Sequence, residues 1–121
     1  MTLPRPPAEL ARFTELLSAE ELYRLVKTFG GQRLYLPRSF NQGHALVRTL
    51  GRDAAHRLAE GLGGGQISIP LARHWQILVL RAQGLTHRAI AAELRVTEKA
   101  VEDNLRAARR HTNSTQLDLF G

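Results

Sequence analysis

Residues 85–110 read LTHRAIAAELRVTEKAVEDNLRAARR, and their spacing predicts a helix-turn-helix. Thr86 is expected to cap the N-terminus of a first helix and Thr97 that of a second, because a threonine hydroxyl can accept from the free N–H groups of a first turn. The turn between the helices passes through Arg95 and Val96. The positions expected to face inward are Ile90, Ala91, Leu94, Val101 and Leu105.

A further helix over residues 72–83 is predicted to precede this segment. Trp75, Leu78 and Val79 recur there at helical spacing, and Gly84 follows as a stop signal. Three helices in this order are typical of DNA-binding domains that place their last helix in the major groove. A helical hairpin of purely structural use would show the same apolar spacing, but the charge of the chain favours DNA binding.

The chain is basic, with 17 Lys and Arg against 11 Asp and Glu and a formal net charge of +6. Such a balance favours a polyanionic partner, and double-stranded DNA fits the predicted helix-turn-helix. The basic residues are spread along the chain instead of gathering on one amphipathic helix, so we expect no membrane partner.

The composition fits a small, mainly helical protein without catalytic chemistry. A length of 121 residues suits one compact domain with at most a short appended module, and the absence of cysteine suits a reducing cytoplasm. No signal peptide is expected. The five histidines lack zinc-site spacing, and no P-loop or nucleophile elbow is found. We therefore expect a cytoplasmic binding protein that is not an enzyme and needs no cofactor or metal.

The first part of the chain contains a repeat with an offset of 33 residues. The shift aligns Arg24, Leu25, Gly30, Gly31 and Pro37 with Arg57, Leu58, Gly63, Gly64 and Pro70. Each copy predicts a helix, a glycine stop and a short strand closed by proline. Ser18 and Glu21 predict a capping box in the first copy, and Asp53 is the expected N-cap in the second. Further helices are expected over residues 8–17 and 44–50.

The two short strands are expected to pair as a ribbon, because neither is long enough to stand alone. The partner of each strand is either the other strand of the same chain or a strand of a second subunit. Alternation places four polar side chains on one face of the ribbon: Arg33, Tyr35, Gln66 and Ser68. These residue types suit contact with DNA, although a ribbon that only ties the helices together would show the same pattern.

The segment at residues 85–110 resembles the helix-turn-helix of LuxR/GerE-type response regulators and of region 4 of sigma factors, through IAAEL, VTEKAVE and NL. By this resemblance, the residues at the DNA would be Thr97, Glu98, Lys99, Glu102, Asp103 and Arg106, with Arg109 and Arg110 near phosphates. The acids of this set repel phosphate, so we expect affinity to depend on its cations. Arg95 stands where Gly is common, and a left-handed conformation would be mildly strained there.

A longer resemblance covers about residues 54–110. The string LGGGQISIP, residues 62–70, followed by a helix-turn-helix is similar to the Mor/C family of phage Mu-like transcription activators. The family implies a homodimer with paired strands at the minor groove, helix-turn-helix units in flanking major grooves, and contact with RNA polymerase. Gln66 matches the groove-facing Gln of the pattern, whereas Ser68 replaces its usual Tyr and Tyr35 occupies the equivalent place in the first copy. The duplication also permits a ribbon within one chain.

Residues 116–120, QLDLF, resemble the peptide by which bacterial polymerases and repair proteins bind the DNA sliding clamp. The clamp contacts implied are Gln116, Leu117, Asp118, Leu119 and Phe120. A flexible polar connector is expected over residues 111–115. In the other interpretation, Leu119 and Phe120 pack onto the protein's own core.

The sequence thus predicts a mainly α protein: a duplicated helix–helix–strand region for dimerisation and the ribbon (1–70), a tri-helical helix-turn-helix (71–110) and a flexible tail (111–121). The expected function is a sequence-specific, activator-like transcription regulator of phage or mobile-element type. The alternative is a DNA-associated interaction protein that binds the sliding clamp and modulates replication.

Overall fold

The computed structural model describes residues 3–41 and 43–120, without the side chains of 111–120. The expected mainly helical class is confirmed, with one two-stranded sheet in the described part of the chain. A short 3-10 turn, Ala8–Leu10, comes first. The elements that follow are α1 (Ala11–Thr14), α2 (Ala19–Phe29), β1 (Arg33–Leu36), α3 (Ala45–Leu50), α4 (Arg52–Leu62), β2 (Gly65–Ser68), α5 (Arg73–Ala82), α6 (His87–Leu94) and α7 (Glu98–Phe120). No described helix is both long and apolar enough to cross a membrane.

The chain divides into two compact units, one up to residue 75 and the other from residue 76 onward. The boundary lies within α5, slightly beyond the expected one at residue 70. Trp75 belongs to the first unit, because its indole Nε1 donates to the Pro4 carbonyl at 3.0 Å and its ring meets Tyr23 edge-on at 6.0 Å between centroids. The first unit thus continues past the ribbon to the start of α5.

The backbone of the first unit repeats along with its sequence. Helices α2 and α4 are both 11 residues long, and adding 33 to the bounds of α2 gives those of α4. The glycines that follow them, Gly31 and Gly64, both have positive φ, 81° and 97°. Because L side chains rarely adopt such a φ, glycine at these two points fixes the way each helix leads into its strand.

The two copies begin their helices differently. The capping box is confirmed: the Ser18 hydroxyl accepts from the Glu21 N–H at 3.2 Å, and Glu21 accepts from the Ser18 N–H at 2.9 Å. The prediction that Asp53 caps the second helix is wrong, since α4 begins at Arg52 directly after Gly51. Gly51 has a φ of 88° and separates α3 from α4, so Asp53 falls in the first turn, where its charge still suits a helix N-terminus.

The helix expected over residues 8–17 is shorter than predicted, a 3-10 turn followed by α1. The helix expected over 44–50 is present as α3, with His44 as its N-cap. The helices and the inner side of the ribbon share an aliphatic core. Its fully buried members in the first unit include Leu10, Phe13, Leu22, Leu25, Val26, Leu36, Leu58 and Ile69.

The second unit contains the predicted helix-turn-helix as α6 and α7. Of the positions expected to face inward, Ile90, Ala91, Val101 and Leu105 are buried and Leu94 is half-buried. In α5, Trp75 and Val79 are buried as expected, whereas Leu78 is only half-buried. The sequence analysis missed the buried positions Gln76, Ile77 and Leu80 in the same helix.

Helix α7 differs from the prediction in length. Its backbone continues to Phe120, through the stretch interpreted from the sequence as a connector and tail. Residues 98–120 contain neither glycine nor proline, so no strong stop signal interrupts the helix. The side chains of the QLDLF segment lie outside the described residues, so the clamp-binding positions stay sequence predictions.

Arg57 links α4 to the N-terminal helices of the first unit. Its Nε donates to the Leu16 carbonyl at 2.8 Å, and its guanidinium pairs with Glu21 at 2.7 Å. Partial burial raises the pKa of Glu21, but the hydrogen bonds from the Ser18 backbone and from Arg57 outweigh it, and the net pKa is lowered. Stabilisation from this carboxylate is therefore present above its unfolded pKa and is lost as pH falls through the folded one.

Replacing Arg57 with Ala is expected to lower the free energy of unfolding by about 1 kcal/mol at neutral pH, a modest value because the pair is partly exposed. This change in the free energy of unfolding is measured by urea unfolding, with the fluorescence of Trp75 as the signal. Arg24, the repeat equivalent of Arg57, is exposed, and Arg24→Ala is the matched control with little expected effect. The Arg57→Ala deficit should shrink as pH falls through the lowered pKa of Glu21, where this carboxylate becomes protonated. If the loss of stability keeps the same size at low pH, it comes from the hydrogen bond to the Leu16 carbonyl and not from the pair with Glu21.

Candidate nucleic-acid interface

The helix-turn-helix is held by local contacts that its sequence encodes. The Thr86 hydroxyl accepts from the Ala89 N–H at 3.1 Å, and the Thr97 hydroxyl accepts from the Ala100 N–H at 3.0 Å. Both expected N-caps are thus confirmed. Arg95 adopts the left-handed conformation, with φ 57° and ψ 47°. A non-glycine residue there carries mild strain, and this turn sets the direction in which α7 leaves α6.

The start of α7 presents an exposed polar face opposite its buried positions, Val101 and Leu105. Every residue predicted for DNA contact in this segment is exposed: Thr97, Glu98, Lys99, Glu102, Asp103, Arg106, Arg109 and Arg110. We call this set the α7 face. The structure therefore places the predicted residues along a single helix, free of the core, where a groove could receive them.

The charges of the α7 face are partly paired with each other. Arg106 contacts Glu102 at 2.9 Å and Lys99 contacts Asp103 at 3.4 Å, both between side chains that are about half exposed or more. Exposed pairs of this spacing contribute only about 0.3–0.5 kcal/mol, so a phosphate can replace the carboxylate at little cost. Four cations against three acids leave the α7 face with one net positive charge.

The ribbon of the first unit forms within one chain. Strands β1 and β2 pair antiparallel, with Arg33 opposite Ser68 and Tyr35 opposite Gln66. Of the two alternatives that the sequence left open, the structure has the pairing within the chain. All four of these side chains are exposed, and Tyr35 has 63% of its surface exposed. The predicted polar side of the ribbon, which we call the ribbon face, is thus present and contains no acidic residue.

Sequence reasoning missed Arg38 as a residue beside the ribbon. Its exposed side chain lies against Gly64, where a Cβ would come within 2.8 Å of the Arg38 Nε. The repeat could have placed Arg38 next to the ribbon, because Arg38 follows Pro37 at the end of the first strand as Leu71 follows Pro70 at the end of the second. Arg38 therefore adds a cation near the ribbon that periodicity alone did not assign.

Two clefts of the first unit are lined by other residues. A cleft of about 310 Å³ is lined by Phe40, Asn41, Val47, Arg52 and His56, and a second of about 540 Å³ by residues of the 5–14 segment. Neither cleft contains a residue of the α7 face or of the ribbon face. Among the side chains that the structure describes, no three His, Cys, Asp or Glu come together as metal ligands would.

Comparison with known proteins assigns no family to the chain: no family model matches it, and neither a curated protein nor a solved structure does. The candidate interface therefore rests on the residues themselves. Each unit has its own candidate surface, the α7 face in one and the ribbon face in the other.

Proposed function

We propose that this chain is a sequence-specific DNA-binding transcription regulator, activator-like and of phage or mobile-element type. The observation that carries the proposal is the α7 face, which lies on the second helix of a capped helix-turn-helix and exposes all its predicted contact residues. A hairpin with only a structural role would need its buried positions, Val101 and Leu105. It would not need four exposed cations on the same helix.

In the proposed mode of binding, the N-terminal turns of α7 enter the major groove. Lys99 and Arg106 exchange their carboxylate partners for phosphate oxygens or for the acceptor edge of guanine. Glu98, Glu102 and Asp103 can only accept hydrogen bonds, and they favour donors such as the cytosine amino group. Cations would thus supply affinity, and the mixture of donors and acceptors would supply sequence preference.

The ribbon face supports the same function from the other unit. Arg33 can bind phosphate or the narrow groove of an A·T-rich segment, while Tyr35 and Gln66 offer hydrogen bonds to sugar, phosphate or base edges. The three lie together on the exposed side of β1 and β2, because the register sets Tyr35 opposite Gln66. Contact with RNA polymerase, homodimer formation and clamp binding stay predictions from the sequence.

Arg106→Ala and Lys99→Ala are each expected to weaken duplex binding about tenfold without unfolding the protein. Both side chains are exposed, and each substitution removes one cation able to release counterions from DNA. The slope of log Kd against log salt should therefore fall in magnitude by about one. Fluorescence anisotropy of a labelled duplex over a series of salt concentrations measures both quantities.

The control for these variants is Arg24→Ala, which removes the same charge from an exposed position of α2. It should leave both Kd and salt slope near the wild-type values. If Arg106→Ala and Lys99→Ala bind like the wild type with an unchanged slope, α7 is not part of the DNA interface.

A further inference from the structure

The backbone of the ribbon has an internal twofold arrangement. The register sets Leu34 opposite Ile67, and these two residues are 33 positions apart and therefore equivalent in the repeat. The ends correspond as well, because Gly31 and Gly64 each donate an N–H across the ribbon at 2.7 Å. One chain thus provides both halves of a ribbon that two identical subunits would otherwise have to form.

The exposed side chains do not follow this twofold arrangement. Arg33 is the repeat equivalent of Gln66, and Tyr35 is the equivalent of Ser68. Strand β1 therefore supplies the cation and the aromatic ring of the ribbon face, and β2 supplies two smaller neutral groups. The two halves offer different donors, charge and shape to any partner that lies across them.

The flanks of the ribbon differ in the same way. Arg38 lies beside Gly64, and its equivalent Leu71 lies close to Gly30, with the Leu71 Cδ1 atom 3.4 Å from where a Cβ of Gly30 would stand. Leu71 is 41% exposed. One flank of the ribbon thus carries a cation, and the other flank carries an apolar side chain.

The described residues also provide little surface for a second copy. The inner side of the ribbon is already buried, with Leu36 at 0%, Ile67 at 6% and Ile69 at 1% exposure. Among the side chains that the structure describes, which exclude those of residues 111–120, only Tyr35 and Leu71 are large, hydrophobic and highly exposed. Permanent dimer interfaces are usually more apolar than this.

We infer that, in place of the homodimer implied by the Mor/C resemblance, a single chain occupies each DNA site and that the ribbon face requires a non-palindromic sequence. This inference rests on the DNA-binding function proposed above. Dimeric helix-turn-helix proteins read inverted repeats, because their two identical halves are related by a dyad. A ribbon with Arg33 and Tyr35 in one half, and Gln66 and Ser68 in the other, has no such identity, so the two directions of the same duplex are different ligands.

Selection of duplexes from a random pool by the full-length chain, followed by sedimentation of the complex with the selected duplex, tests the inference. The expected result is one chain per duplex and a selected sequence without a dyad. Two chains on an inverted repeat would overturn the inference and leave the proposed function intact. Absence of saturable binding to any duplex would overturn the proposed function itself.

A variant that exchanges the two halves tests the direction of reading. It combines Arg33→Gln, Tyr35→Ser, Gln66→Arg and Ser68→Tyr, all at exposed positions, so the fold should persist in circular dichroism. Its affinity should fall about tenfold on the selected duplex and recover when only the segment protected by the ribbon in hydroxyl-radical cleavage is inverted. Equal affinity for both duplexes would contradict directional reading by the ribbon face.

Discussion

Replacing Ile67 with Asp is expected to lower the free energy of unfolding of the first unit by about 4 kcal/mol. Ile67 is 6% exposed and lies at the centre of the ribbon, directly opposite Leu34. A carboxylate at this position would lose its water, and the aliphatic residue opposite it could not donate a hydrogen bond in exchange. Since β1 pairs only with β2 in the described part of the chain, loss of this position should separate the two strands.

Trp75 is the single tryptophan of the chain and belongs to the first unit, so its fluorescence during urea unfolding reports this effect. Gln66→Asp is the matched control, because it introduces the same carboxylate one residue away on the exposed side. The control should change stability by no more than about 0.5 kcal/mol. An Ile67→Asp protein that unfolds at the wild-type urea concentration would mean that the ribbon does not hold the first unit together.

Features that depend on neighbouring residues were predictable from the sequence. Two helix caps join residues only three positions apart, Ser18 with Glu21 and Thr86 with Ala89. Local side-chain chemistry is therefore enough to predict them. Alternation in a short strand likewise identified the exposed side of the ribbon, including Tyr35. The helix-turn-helix resemblance identified Arg95 as standing where Gly is common, and the structure has the left-handed conformation there.

Features that depend on residues far apart in the chain were less accessible. Strand β1 could pair with β2 of the same chain or with a strand of a second subunit, and the sequence does not distinguish these partners. Only the packing of the two repeat copies selects the pairing within the chain. The side chain of Asp53 suits a helix cap, but the positive φ of Gly51 lets α4 begin at Arg52, before Asp53. The position of Arg38 against Gly64 and the link from Arg57 to Glu21 also join segments distant in sequence.

The ion pairs on the α7 face show a similar division. Helical spacing of four residues makes two ion pairs accessible to sequence reasoning, Lys99 with Asp103 and Glu102 with Arg106. The sequence prediction instead treated the acids as groups that repel phosphate and accept hydrogen bonds from base donors. The structure shows two of the three acids with cationic partners. Their net effect on DNA is therefore smaller than a count of carboxylates indicates.

Reversal of the two paired cations of α7 is expected to have the largest effect on DNA binding. Lys99→Glu with Arg106→Glu should weaken duplex binding at least about 100-fold, about tenfold for each lost contact, with added repulsion from phosphate. The new carboxylates would also repel Asp103 and Glu102, at a cost of only about 0.2–0.5 kcal/mol for each pair in the helix. Because Val101 and Leu105 stay in place, the helix-turn-helix should remain folded.

Lys99→Gln with Arg106→Gln is the companion variant, since it removes both charges without new repulsion inside the helix. It should weaken binding about 100-fold, the sum of the two single losses in free energy, and any further loss in the reversal measures repulsion from phosphate. Arg12→Glu with Arg24→Glu applies the same change of charge to exposed positions of the first unit and serves as the control. Circular dichroism of all three proteins shows whether helix content is retained.

The central claim is that the exposed face of α7 binds duplex DNA, and the most direct measurement is the Kd of the wild type and these double variants for one selected duplex at one salt concentration. We expect saturable binding by the wild type, a loss of at least about 100-fold for the reversal, and a much smaller change for the Arg12 and Arg24 control. If the reversal and the control lose the same affinity for the duplex, binding depends on the net charge of the protein and not on the α7 face. Wild-type affinity in the reversed protein would contradict the claim.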